Sequence, residues 1–550
     1  MGGTVSNLPP CQPNFPFCSL TFGHWDKLLV IPANQQIVQF VRTAFRQLWP
    51  RGIQQESHEY GVYQFKIGGR PFDVGTAKEE SMAIKRLCAW PVCIRLLVDL
   101  YHAGWDVLVA SDLSRDLSHT SWFFQIRSSP PPALTTPLVC VSMSSYDKLQ
   151  VLNPFQNLPE LVKQAVFAIN PHGIQNEMYI GSDYELKLHG QPWVSADFAE
   201  GILVRKILLE IFRKLDQNQY QLHTTVNLKG TADSLFFKQN TQNPPGETKF
   251  MMISLNASDR IRLIEPNPEA IDAVKKALSQ FWPRGIQAEF NHLNTYGAYE
   301  FKLAGWPWNC YGTDAMSSRQ LITMIMQYML ERGWALVNSL DVSRRANDKA
   351  VFVFRSCAPS NLMHFCLSPN DTDKLHLINA PVDIIQVAVN VIRANWIRGI
   401  ERQGSCMGAC FEWKLNGMPW SAYMGNDGAH ARDLMAKLLA AFSDKGWRCI
   451  CSADVSAQMI HRDNNMHNTN TVSTMNDTHP VDVHSWFFCY TGVAGSTPAA
   501  QQQPPQYQQV VNPTAPPSDT APSTYNTAPP SYDAVMSSDA APPSAPGWKM

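Results

Sequence analysis

Apolar residues at Ile37, Val38, Val41, Ala44, Phe45 and Leu48 recur with the spacing of one helical face. The strand-like run "DKLLVI" precedes them, and three more runs, "DKLQVL", "DRIRLI" and "DKLHLI", stand in the same relation to later helical patterns. After each predicted helix comes a turn and then an alternating segment, in which Tyr299, Phe301 and Leu303 point one way. A second helix follows, with Thr76 and Glu79 spaced as a capping box at its start in the first copy. Two closing strands complete the pattern: "GWDVLVASDLS" then "WFFQIR", "GWALVNSLDVS" then "VFVFR", and "GWRCICSADVS" then "WFFCY". The second copy keeps only "YQLHTTVNLKG" then "LFFKQ".

These patterns are four copies of one unit. "LWPRGIQQESHEYGVYQFKIGGRPF" at Leu48 and "FWPRGIQAEFNHLNTYGAYEFKLAGWPW" at Phe281 are close copies, and weaker ones begin at Ile169 and Asn395. The Gly-Ile pairs start at Gly52, Gly173, Gly285 and Gly399. Strands with helices gathered on one face predict an α+β chain of four tandem two-layer repeat domains of about 110 residues, followed by a disordered proline-rich tail. The expected domains are 1–19 (disordered N-terminus), 20–130, 137–240, 249–357 and 361–492 (repeats), and 493–550 (tail). Within the fourth repeat, Ala457 to Val483 reads as a disordered insertion rich in His and Asn, carrying His461, His467 and His479 with His484 just beyond.

Composition agrees with folded multidomain material: 45% of the 550 residues are hydrophobic and 17% are charged. A formal net charge of −1 offers no general attraction for nucleic acid. The 13 cysteines have no repeating spacing and no secretory signal leads the chain, which predicts a reducing, cytosolic setting. No stretch approaches the roughly 20 apolar residues of a spanning helix, so membrane contact is expected to be peripheral, on the plasma or endosomal membrane.

No phosphate loop, zincin-type His pair or nucleophile elbow is present, so no enzyme, catalytic residue, cofactor or metal is expected. Cys406 and Cys410 in "GSCMGAC" lack the second pair that a zinc site needs. Trp49, Trp282 and Trp396 read as core anchors and Gly52 as a turn glycine. Arg51, Arg284 and Arg398 occupy one turn position in three copies, with His172 in the other. They are either a repeated surface for an anion or partners in local ion pairs, the second being the simpler reading.

The two ends carry different signals. "MGGTVSN" places Ser6 as M-G-x-x-x-[ST] requires, which predicts N-myristoylation at Gly2. One acyl chain gives only marginal attachment, and the candidates for a second signal are acylation at Cys11 or Cys18, a surface on the repeats, or self-association. From Gln501 onward there is no Leu, Ile or Phe and proline recurs every few residues, so the tail cannot bury enough surface to order itself. It contains P-P-x-Y at Pro504, Pro505 and Tyr507, again at Pro529, Pro530 and Tyr532, and P-T-A-P at Pro513, Thr514, Ala515 and Pro516.

This combination resembles the late-domain region of retroviral Gag-like proteins and of cellular ESCRT and ubiquitin-ligase adaptors. The resemblance implies that P-T-A-P binds ESCRT-I and that P-P-x-Y binds WW domains of HECT-type ubiquitin ligases. It covers the tail and, through myristoylation, the N-terminus, and not the repeats. The expectation is an adaptor at the cytosolic membrane leaflet whose repeats bind an unidentified cargo or self-associate, acting in vesicle budding or endosomal sorting. The alternatives are a ubiquitin-ligase substrate adaptor without a budding role, and an anion- or ligand-binding repeat protein.

Overall fold

The computed structural model describes residues 15–492 apart from 24–25, 70, 73–78, 114–119, 130, 196, 229–231, 241–247, 311, 344–348, 407, 421–425, 456–457, 462–477 and 482. The first repeat runs β1 (Phe17–Gly23), β2 (Lys27–Ile31), α1 (Gln35–Leu48), β3 (Ile53–Glu59), β4 (Val62–Ile67), α2 (Glu79–His102), β5 (Trp105–Ser111) and β6 (Ser121–Ile126). The six strands form one antiparallel sheet in the order β3-β4-β2-β1-β6-β5, and the other three repeats reproduce that order. Asn34 caps α1 by accepting from the backbone N–H groups of Gln36 and Ile37, and Asn267 caps the equivalent helix of repeat 3. Thr76, the expected cap of α2, lies outside the described residues.

Alternation along β1 sends Cys18, Leu20 and Phe22 into the core beneath α1 and α2. The opposite face of the sheet, with Ser19 and Thr21, is buried as well. Its cover comes from the neighbouring repeat, because the second helix of each repeat packs on the first strand of the next. Central strands are therefore buried on both faces, with small hydroxyl residues such as Ser19 and Thr21 on the face toward the neighbouring repeat. The core of repeat 2 continues into Phe250, Met252 and Val353 of repeat 3, and the core of repeat 3 continues into Cys366 and Phe487 of repeat 4.

The same joint recurs after the last repeat. The backbone N–H just before each closing strand donates to a carbonyl that follows the fifth strand of the next repeat. Thr120 donates to Asn227 at 3.4 Å, Asp233 to Asp341 at 2.7 Å, and Ala350 to Asp454 at 3.3 Å. His484 then donates to Asp112 of repeat 1 at 2.9 Å. Four equivalent joints that return to their start make the repeats a closed ring. The seam between repeats 4 and 1 is further filled by Phe123 against Trp486 at 4.9 Å, with the Trp486 indole donating to Ser111 Oγ at 2.7 Å.

Two expectations change. The base of the insertion is an antiparallel ladder of Gln458–His461 with Thr478–Val481, where only disorder was anticipated. Cys406 and Cys410 form a disulfide across the end of a hairpin, in place of the metal-ligand alternative and against the expectation of a reducing setting.

Candidate functional site

Gly2, both P-P-x-Y motifs (Pro504, Pro505, Tyr507; Pro529, Pro530, Tyr532) and the P-T-A-P motif (Pro513, Thr514, Ala515, Pro516) lie outside the described residues. The described candidates are the turn cations. Each follows the first helix of its repeat, where Trp49, Trp282 and Trp396 are 4%, 2% and 3% exposed and donate their indole N–H groups to the carbonyls of Gly68, Ala304 and Asn416. These rings are core anchors. Gly52, Gly285 and Gly399 take φ of 59°, 75° and 77°, a left-handed turn that suits glycine. Gly173 of repeat 2 does not, and is confined instead by Asn170, which stands where the other repeats carry tryptophan.

The three arginines meet different fates. Arg284 pairs with Asp314 at 2.8 Å and Arg398 with Asp427 at 2.6 Å, each joining the turn to the first turn of the second helix. Their stems lie across Gly305 and Gly417, so the glycine of G-x-P-W leaves room for the guanidinium. Arg51 crosses Gly69 in the same way, is exposed, and forms no ion pair with any described residue.

Two further cations share this end of the sheet, one at the start of the second strand and one near the end of the fourth. They are direct cross-strand partners in every repeat: Lys27 with Lys66, Lys148 with Lys187, Arg260 with Lys302, and Lys374 with Lys414. In repeat 2, Lys148 pairs with Glu185 at 2.7 Å and Lys187 approaches Asp147 at 3.9 Å. In repeat 3, Arg260 pairs with Glu300 and Lys302 with Asp259 at 3.9 Å. Repeat 4 pairs Lys374 with Asp371 at 2.7 Å and Lys414 with Glu401 at 2.8 Å. Repeat 1 has Gln64 at the strand position of Glu185, Glu300 and Glu412, and neither Lys27 nor Lys66 is in an ion pair among the described residues.

A second repeated constellation ties the first helix to the outer hairpin. Arg42 and the Tyr63 hydroxyl both donate to Glu56 at 2.6 Å. Lys163 and Tyr184 do the same to Glu177, and Lys275 and Tyr299 to Glu289. The hydrogen bond from Arg42 holds the Glu56 carboxyl below the usual carboxylate range, while burial and the carboxylate raise the Tyr63 hydroxyl. Burial and Glu289 push Tyr299 up to about 12. The raised tyrosines keep their protons and serve as hydrogen-bond donors to the carboxylates, which tie the first helix to the outer hairpin. Repeat 4 has Val389, Gln403 and Phe411 at the three positions, which removes both charges and the phenol hydroxyl.

Sequence reading also missed a buried arginine on the second helix. Arg205 donates to Ser254 at 2.9 Å, Arg319 to Ser485 at 3.0 Å, and Arg432 to Ser121 at 3.1 Å, each reaching a hydroxyl on the next repeat. Each lies the same distance before the G-W or N-Q-Y strand start, which is a signal available from alignment of the copies. In repeat 1 that position is Trp90, whose ring lies 6.4 Å from Phe236 of repeat 2.

Among the described residues, no group of His, Cys, Asp and Glu side chains is placed to hold a metal ion. No described helix is long and apolar enough to cross a membrane. Comparison with curated proteins and with solved structures returned no match. One domain-family model matches the chain four times, over residues 16–125, 137–239, 249–355 and 363–489, and by that match the chain belongs to this repeated-domain family.

Proposed function

We propose that the protein is a non-enzymatic adaptor on the cytosolic face of a membrane, recruiting ESCRT-I and WW-domain ubiquitin ligases through its tail. The observation that carries this reading is one P-T-A-P set between two P-P-x-Y motifs, in a tail without Leu, Ile or Phe to fold around, on a chain that begins M-G-x-x-x-S. Polyproline segments bind aromatic grooves with little further ordering cost, and several weak motifs on one tail gain by effective concentration. The repeat ring supplies the cargo-binding or self-associating body. Pairing of Arg284 and Arg398 with local carboxylates removes two of the three cations that favoured a repeated anion site.

Tyr507→Ala with Tyr532→Ala is expected to abolish ligase binding in pull-downs, each single change losing less. Pro513→Ala with Pro516→Ala is expected to remove ESCRT-I and leave the ligase bound. Gly2→Ala is expected to move the protein from membrane to soluble fractions, and vesicle release is expected to need Gly2 and at least one motif class. Release that survives loss of Gly2, or of all three motifs, overturns the budding role and leaves the ligase-adaptor alternative.

A further inference from the structure

At three of the four joints the residue just before the closing strand meets the next repeat twice, because its side chain accepts from the N–H of the residue whose carbonyl it bonds. Thr120 Oγ1 accepts from Asn227 at 2.8 Å, and Asp233 Oδ2 from Asp341 at 2.9 Å. His484 Nδ1 accepts from Asp112 at 3.3 Å and lies 3.1 Å from Ser452 Oγ. Ala350, at the joint of repeats 3 and 4, has no side-chain acceptor.

These acceptors answer acid differently. A threonine hydroxyl does not titrate there, and a protonated Asp233 keeps a carbonyl oxygen for its donor. Imidazole accepts at Nδ1 only while that nitrogen is bare, and imidazolium carries a proton on both nitrogens. Protonation of His484 therefore sets one N–H against another. It does so at the one joint that no peptide link spans, since repeats 1 to 4 follow one another along the chain. Burial disfavours the charged ring, against the attraction of Asp454, which itself lies 3.8 Å from Lys349 Nζ. Asp112 is the other acidic residue at the contact, and the third neighbour, Ser452, is neutral and donates to the Ala110 carbonyl of repeat 1 at 2.6 Å.

We propose that the seam between repeats 4 and 1 is an acid-sensitive latch: protonation of His484 breaks its contact with Asp112 and opens the ring there. Opening uncovers the Ser121 hydroxyl of repeat 1 and the Arg432 guanidinium that reaches it from repeat 4. A released histidine titrates near 6.5, above its value in the closed seam. The latch is therefore at full strength above about pH 6.5 and weakens as pH falls toward the closed-seam value.

Residue-resolved hydrogen exchange on the full chain, corrected for the intrinsic rate, reads each joint separately. The amides of Asp112 and His484 donate across the seam, and those of Asp233 and Asp341 across the joint of repeats 2 and 3. From about pH 7.5 to about pH 5, protection at Asp112 and His484 is expected to fall by about 30-fold, the population gained by an imidazole that titrates only when open. Protection at Asp233 and Asp341 is expected to stay within about 3-fold. Acid also loads the buried His223 and His364, so two variants isolate the latch. His484→Thr installs the acceptor that the joint of repeats 1 and 2 already uses, and His484→Asn supplies a second acceptor that does not titrate. Either variant that folds is expected to hold Asp112 protection within about 3-fold over the same pH range. Parent protection that stays level or rises at acid pH overturns the proposal. So does an equal fall at both joints, or a fall in the variants as large as in the parent.

Discussion

Arg432 of repeat 4 donates from Nε to the Ser121 hydroxyl of repeat 1 across 3.1 Å, joining residues 311 positions apart. The guanidinium also donates to the Gly428 carbonyl one helical turn back, at 2.9 Å, which fixes the side chain before it crosses the seam. Arg432→Ala is expected to destabilise the repeat ring by about 2–3 kcal/mol, the range for hydrogen bonds from a charged group, with packing of its stem lost as well. Urea unfolding measures this. A change below about 0.5 kcal/mol would mean that apolar packing alone closes the ring.

Tyr63→Phe removes one of the two donors on Glu56. Since the folded Glu56 carboxyl sits below its unfolded value, its contribution is present above about pH 4.3 and is lost as pH falls through the folded pKa. Tyr63→Phe is expected to cost about 1 kcal/mol at pH 7 and to show a smaller effect at pH 3. In repeat 4, Phe411→Tyr is expected to gain nothing, because Gln403 and Val389 offer no charged acceptor or cation. Denaturant curves at the two pH values compare them.

Asp233 behaves in the opposite sense. Burial raises its carboxyl to about 7 against the help of the Asp341 backbone N–H, which donates to Asp233 Oδ2 at 2.9 Å, and of Asn227. A folded pKa above the unfolded value means stability is fully present below about pH 4 and declines as pH rises toward 7. Asp233→Asn keeps an acceptor for Asp341 and removes the charge, so it is expected to raise Tm at pH 8 and to leave it nearly unchanged at pH 4. Thermal melts across pH 4–8 test the sign.

Trp282→Ala is expected to destabilise repeat 3 by about 3–5 kcal/mol, since the ring is buried and its indole N–H is spent on the Ala304 carbonyl. Truncation after Ala494 is expected to leave the melting of the repeats unchanged. The last closing strand ends at Tyr490 and the family match at residue 489, so both precede the cut. A lower melting temperature for the truncated chain would show that tail residues pack on folded structure.

Sequence alone determined the unit and its copy number, because helix and strand periods are local properties and four aligned Gly-Ile turns, two of them W-P-R-G-I, mark equivalent positions, as does G-x-P-W in three copies. Burial of Trp49, Trp282 and Trp396 was legible for the same reason: an aromatic repeated at one turn has one packing role. Tertiary structure alone decided what the second sheet face meets. Thr21 and Ser121 read as ordinary polar strand residues, and only ring closure buries them, bonded to each other at 2.9 Å and beneath Arg432. The fate of the turn arginines was equally illegible. Arg51, Arg284 and Arg398 share a sequence context, but whether a carboxylate lies within 4 Å depends on residues brought close by folding, and Asp314 and Asp427 sit about 30 positions away in sequence. Local pattern fixes elements because it acts through the backbone's own period. Charge pairing and closure join distant residues, and only the folded chain sets those distances.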